Sequence, residues 1–279
     1  MQDAAYHRRM TEPAKPVSIQ AATVILAREG PGGVPEYLLV QRGEQLAFAG
    51  GALVFPGGRV DAADIHIALN ELLAMGFDGL EDLDAAARIT CAREALEETG
   101  VLLTEGPHLD EAALAHARSL LAAGPDEAEA VGFAGMLGAM GHKVDAARFI
   151  PFARWEPPAA AAIVRRFDTR FYLADAGRSA SAVISPDGFE AQALRWTTAA
   201  QALADYDAGR AAMVFPTWCN MHRLAQYQTL AHLFERVSAL PAPYVQPAFV
   251  TRDGEPWLTI PEGIDYPVTG DRVINMRRE

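Results

Sequence analysis

Apolar positions along this chain recur in two rhythms. Short runs or strict alternation predict strands, and spacings of three and four residues predict helices. From Ser18 onward, Ala21-Ala22-Thr23-Val24-Ile25-Leu26 and Tyr37-Leu38-Leu39-Val40-Gln41-Arg42 are apolar runs separated by a Gly/Pro loop from Arg28 to Pro35. They predict a hairpin of core strands whose second strand carries Arg42 to the rim. In the segment Phe48 to Asp61, Gly50, Gly51, Gly57 and Gly58 bracket the apolar run Ala52 to Phe55, so the backbone there can approach another group closely. A short helix is predicted from Ile65 to Met75, followed by a loop with Gly76, Asp78 and Gly79.

The next helix has recognisable ends, with Asp84 placed to cap its start and Gly100 its finish. Ile89, Ala92 and Leu96 form its buried stripe. Two Ala-rich helices, 109 to 123 and 126 to 140, are separated by Gly124-Pro125 and read as a helical insertion. Phe149 to Trp155 is extended, as is Phe189 to Trp196. In Arg165 to Leu173, alternation puts Phe167, Thr169 and Phe171 on one face and Arg166, Asp168 and Arg170 on the other. That charged face either lines a pocket or forms cross-strand ion pairs. Thr198 caps a helix from Ala199 to Tyr206 that Gly209 ends, and Trp218 to Leu240 reads as one long amphipathic helix. Residues 1 to 16 are expected to be a tail, 17 to 240 one domain, and 241 to 279 an extension wrapping it.

The chemistry concentrates in Arg93-Glu94-Ala95-Leu96-Glu97-Glu98-Thr99-Gly100. On a helix Glu94, Glu97 and Glu98 share one face, and like charges at that spacing repel unless a cation compensates. Hard oxygen ligands suit Mg2+ or Mn2+. Arg93 is placed to hold a carboxylate by a charge-assisted hydrogen bond. Such a face alone can also be merely solvated. His222 and His232, ten residues apart, do not have metal-ligand spacing and read as structural.

Composition narrows the choices. A formal charge of -12 argues against a protein that coats nucleic acid, which needs clustered Lys and Arg. Two cysteines, Cys91 and Cys219, cannot build a disulfide framework and point to a reducing compartment. No signal-like or membrane-length apolar run is read, so a cytoplasmic protein without membrane partners is expected.

Gly57-Gly58 followed by Arg93-Glu94-Ala95-Leu96-Glu97-Glu98-Thr99-Gly100-Val101 resembles the Nudix box, Gly-x5-Glu-x7-Arg-Glu-U-x-Glu-Glu-x-Gly-U with U apolar. The second half matches at every fixed position. In the first half, the sixth residue past Gly58 is Asp64 rather than Glu, and about twenty extra residues precede the helix. With Phe55-Pro56-Gly57-Gly58, Arg165 to Phe171 and Phe215-Pro216-Thr217-Trp218, this split box resembles a Nudix subgroup that includes a peroxisomal coenzyme A diphosphatase.

The resemblance implies an α/β Nudix fold, a mixed sheet sandwiched between helices. It also implies hydrolysis of a nucleoside diphosphate linked to another moiety, most readily coenzyme A or acyl-coenzyme A. The alternatives are an ADP-ribose or NADH pyrophosphatase and a non-catalytic nucleotide-sensing module; the intact Arg93, Glu94, Glu97 and Glu98 set argues against the latter. Carried over by position, Glu94, Glu97 and Glu98 with the carbonyl of Gly58 would bind Mg2+ or Mn2+. Arg93 would orient the carboxylates, and Glu94 or Glu97 would activate water. Glu190 is a candidate further ligand, and the role of Asp64 stays open. Arg42, Arg170 and Gly57 are candidate contacts to a small nucleotide substrate. The 106 to 146 insertion is left as a lid, a homodimer contact or neither.

Overall fold

The computed structural model describes residues 18–43, 50–122, 132–159, 165–179, 184–186 and 191–273. Its strands are β1 (Ile19–Glu29), β2 (Pro35–Arg42), β3 (Leu53–Val54), β4 (Gly57–Arg59), β5 (Ala74–Met75), β6 (Val144–Asp145), β7 (Ile150–Trp155), β8 (Phe167–Asp175), β9 (Ala191–Thr198), β10 (Tyr244–Val245), β11 (Ala248–Arg252), β12 (Glu255–Thr259) and β13 (Gly270–Arg272). The α-helices are α1 (Ala62–Ala68), α2 (Asp82–Thr99), α3 (Glu111–Ala122), α4 (Gly132–Met140), α5 (Ala199–Asp207), α6 (Phe215–Leu224) and α7 (Leu230–Ala239).

A mixed sheet organises them. Its path is β10-β7-β8-β1-β2-β3, with β4 added to β1 and β9 to β2. β1 runs parallel to β8 and antiparallel to β2 and β4, which makes β1 the central strand. Its apolar run buries both faces: Ala22, Val24 and Leu26 meet α1 to α4, whereas Ile25 and Ala27 meet α5 to α7 and the C-terminal strands. This is the α/β architecture the resemblance implies, a sheet between two helical layers. Full burial of an Ile or Leu contributes about 1.5–3 kcal/mol, so loss of alternation in β1 would undermine both layers together.

Several predicted boundaries move. The helix expected from Ile65 to Met75 is instead α1, which starts earlier and stops at Ala68. Asp64, in the third position of α1, accepts from the Asp61 amide at 3.0 Å and fixes the start, while Leu73 and Ala74 donate to the Asn70 carbonyl in a turn that ends it. α2 is flanked by Glu81, not Asp84. Asp84 lies inside the first turn, where it accepts from Arg88 and from the Tyr172 hydroxyl. Gly100 does close α2 in the left-handed conformation, at φ 75°.

The single helix expected from Trp218 to Leu240 is two helices. Tyr227 donates its amide to Leu224 in the intervening turn, and the Thr229 side chain caps α7 by accepting from His232. Thr198 caps α5 as expected, accepting from Gln201. Of the two insertion helices, α3 and α4 are seen; residues 123–131 lie outside the described set.

Candidate active site

Three elements converge on the acidic face of α2. β4 carries Gly57 and Gly58 on the edge of β1, pairing with Thr23 and Ala22. α1 follows at once and carries Asp64. The final turns of α2 carry Arg93, Glu94, Glu97 and Glu98 onto this corner.

Close approach explains the glycines. A Cβ at Gly58 would overlap the Glu94 carboxylate, and one at Gly57 would lie 2.5 Å from the Ala22 carbonyl oxygen and 2.7 Å from Thr23 Cα. The Gly57 amide donates to Glu98 Oε2 at 3.1 Å, so β4 and α2 are locked together by a buried carboxylate. Glu94 and Glu98 thus meet the Gly58 and Gly57 backbone, while Glu97 is placed by Arg93.

Arg93 is the hub. Its Nη1 donates to Glu94 Oε1 at 2.7 Å and to Glu97 Oε2 at 3.0 Å, and its Nη2 donates to the Arg59 carbonyl at 3.1 Å. The other side of the guanidinium, Nε and Nη2, donates to the two oxygens of Asp64 at 3.3 and 3.2 Å. Asp61 is 3.7 Å away. Burial alone would lower the Arg93 pKa, but Glu94 and Asp64 outweigh it and hold the guanidinium firmly charged. Burial raises the Glu97 pKa above the usual carboxylate range, partly offset by Arg93, with Asp64 and Asp61 adding to the rise.

Asp64 resolves what the sequence left open. It is 1% exposed and accepts from Arg93, from the Thr90 hydroxyl at 2.8 Å and from the Asp61 amide. A carboxylate so saturated holds the Arg93 guanidinium in place. Thr90 has no motif signature; only its position one turn before Arg93 on α2 could have suggested it.

The remaining candidates are more scattered. In β8, Arg170 stands in register with Ala22, whose other neighbour is Gly58. At the usual strand spacing of about 4.8 Å, that places its backbone roughly 10 Å from Gly58. Its Nη1 donates to Gln20 Oε1 at 2.7 Å. Arg42 ends β2, and its Nε is buried without a hydrogen-bond partner among the described residues. Arg166 precedes β8 and donates to the carbonyls of Pro157 and Pro158. Glu190 lies outside the described residues. His222 packs edge-on against Trp218 at 4.4 Å, in keeping with a structural role.

A cleft of about 260 Å³ opens beside this corner, reaching Asp61, Asp64, Arg93 and Glu97. Among the described residues, no three His, Cys, Asp or Glu side chains are arrayed as a ready coordination sphere. The donor set nonetheless fits a hard divalent cation. Glu94 and Glu97 oxygens already converge within 3.0 Å of one cationic nitrogen, Glu98 is adjacent in sequence, and one arginine does not balance the surrounding acids.

No protein-family model matches the chain. It is 24% identical over 241 residues to the acyl-coenzyme A diphosphatase NUDT19 of Xenopus laevis, covering 71% of this chain and 62% of that protein. The chain thus spans less than two thirds of the length of this curated relative. A crystal structure of a Nudix hydrolase from Alicyclobacillus acidocaldarius superposes with a TM-score of 0.67 and 26% identity, covering 82% of this chain and 100% of the other. The fold is the Nudix hydrolase fold, and the likeness read from the split box holds.

Proposed function

We propose that this Nudix-fold chain is a hydrolase of phosphoric anhydride bonds, with coenzyme A or acyl-coenzyme A as its substrate, releasing 3',5'-ADP and (acyl-)4'-phosphopantetheine. The observation that carries the reading is the convergence of Glu94 and Glu97 on Arg93, with Glu94 and Glu98 against the Gly58 and Gly57 backbone. The coenzyme A choice draws on the likeness to NUDT19, an acyl-coenzyme A diphosphatase.

Glu94, Glu97 and Glu98, with the Gly58 backbone, would hold Mg2+ or Mn2+, which when bound supplies positive charge against the negative charge developing on the diphosphate oxygens. Arg93 spans Asp64 on one side and Glu94 and Glu97 on the other, so it fixes the directions of both glutamates before substrate arrives. Glu97 is the more accessible of these two, with a side chain 32% exposed against 13% for Glu94. That accessibility suits the group that takes a proton from the attacking water. Arg170 and Arg42 lie on strands flanking β1 and would meet phosphates of a substrate that carries a 3'-phosphate besides its diphosphate.

The test is product analysis in Mg2+ with coenzyme A, hexanoyl-coenzyme A and ADP-ribose, using the wild type and Glu97→Gln. Cleavage of the coenzyme A substrates to 3',5'-ADP, lost in the variant, is expected. Cleavage of ADP-ribose alone would replace the substrate assignment. Unchanged turnover in the variant would overturn the site itself.

A further inference from the structure

α2 ends just past its acidic cluster, where a helix leaves its last carbonyls without partners of its own. Gly100 donates to the Leu96 carbonyl and closes the helix, while the next amide, Val101, donates to Thr99 Oγ1 at 3.2 Å. The Glu97 carbonyl, which a continuing helix would pair with Val101, is met by Arg118 of α3, whose Nη2 donates to it at 2.7 Å. Nη1 of the same guanidinium donates to the Ser185 carbonyl at 3.0 Å and to Ser185 Oγ at 2.6 Å. The Ser185 amide in turn donates to the Thr99 carbonyl at 3.0 Å. α3 and the 184–186 segment thus clasp the end of α2.

Glu97 is therefore held at both ends by arginines from different parts of the chain. Arg93, one turn earlier on α2, donates to its carboxylate at 3.0 Å, and Arg118, from the inserted segment, donates to its carbonyl. A cation at a helix C-terminus is favoured by the helix dipole as well. Leu121 and Phe133 give α3 and α4 an apolar wall on the cleft that Glu97 also lines. Leu114 and Ala117 of α3 are buried in the core that holds Ala92 and Leu96 of α2, so α3 is packed as a fixed support and not as a swinging lid.

We infer that Arg118 is a positioning residue: from the inserted helix it sets the backbone of Glu97, and through it the carboxylate that the acidic site presents to a divalent cation. This rests on the diphosphatase reading above and deepens it, since the insertion acquires the task of bracing α2. Arg118 bonds a main-chain carbonyl and Ser185, and touches none of the reacting atoms. Its loss should act on metal capture and turnover while leaving substrate affinity nearly unchanged.

The experiment uses Arg118→Met, Arg118→Lys and Glu97→Gln in the full chain. Mn2+ binding is read by the paramagnetic resonance of the free ion, and turnover of coenzyme A is measured in Mg2+. Arg118→Met should weaken Mn2+ binding by about tenfold and lower kcat by about 10–100-fold, with KM for coenzyme A within about twofold. Arg118→Lys, which keeps the charge and a donor, should recover most of both losses. In the Glu97→Gln background, Arg118→Met should change Mn2+ affinity and kcat by less than about twofold, because the group it positions is already gone. Losses that multiply with those of Glu97→Gln would overturn the inference, since Arg118 would then act elsewhere. A lowered unfolding temperature with Mn2+ binding and kcat intact would also overturn it, marking a structural cap. Should Arg118→Met fail to fold, Ser185→Ala removes one anchor of the guanidinium and should weaken Mn2+ binding by about threefold, only while Glu97 is present; unchanged binding there overturns the inference. If wild type cleaves no diphosphate, the functional reading fails, and the Mn2+ measurements still decide for or against Arg118.

Discussion

Two charged clusters lie on the α2 side of the same sheet, and they are built from the same residue types to different ends. Around Arg93 stand Asp64, Glu94 and Glu97, with Asp61 at 3.7 Å, so one cation faces a surplus of acids. At the neighbouring edge Arg154 clamps Asp168 at 2.8 and 2.6 Å, Gln20 donates to Asp168, and Arg170 donates to Gln20, so two arginines face Asp168 and Glu156. The balanced cluster has no electrostatic need for a further cation, which leaves Arg170, bonded to the neutral Gln20, as the member able to meet a phosphate. The unbalanced one does, because several carboxylates near one guanidinium repel one another in a partly desolvated corner. Charge surplus, more than charge itself, separates the proposed reactive site from a structural tie.

The comparison can be broken most forcefully at Glu97. Glu97→Gln should lower kcat by about 10²–10³-fold with little change in thermal unfolding, as expected for a charge acting only at the site; an equal loss of stability would recast it as structural. Asp64→Asn comes next. It weakens the hold on Arg93, and we expect a loss of about 10–100-fold in activity or apparent metal affinity, with partial recovery in Asp64→Glu, the residue the box pattern expects. Steady-state kinetics across a Mg2+ titration would read both.

In the balanced cluster the expectation reverses. Arg154→Ala should leave kcat unchanged while costing about 1–2 kcal/mol of stability in urea unfolding, since it strands a buried carboxylate but removes a half-exposed partner. A marked kcat loss there would mean that the two clusters act as one site.

The smallest effect concerns pH. Burial pushes the Asp168 pKa up, but hydrogen bonds from Arg154 and Gln20 outweigh it and hold the carboxyl below its ordinary value. A depressed folded pKa contributes stability that is present above the unfolded value near pH 4 and is lost as pH falls through the folded one. Wild-type stability should therefore decline on acidification from pH 5 to 3 more steeply than that of Arg154→Ala. Parallel declines would show that the pair contributes no such linkage.

Much of this was legible in local pattern. The alternation in β1, the left-handed closure at Gly100, the Thr198 cap and the shared face of Glu94, Glu97 and Glu98 depend on neighbours within a few residues, where backbone geometry follows directly from residue type. The break between α6 and α7 was not legible, because the apolar spacing continues through the turn at Tyr227. The task of Asp64 was hidden too, since its partners Thr90 and Arg93 lie 26 and 29 residues away across the extra segment of the box.

Residue order alone settled which side chains could ride together on one helix and where that helix must stop, because those are consequences of a 3.6-residue turn and of glycine's freedom at positive φ. Only the folded chain decided which acid restrains Arg93, which acids remain in surplus and which apolar wall faces them. Those choices depend on burial and on contacts between distant segments, which set the strength of each charge interaction and are fixed when the sheet and its two helical layers close.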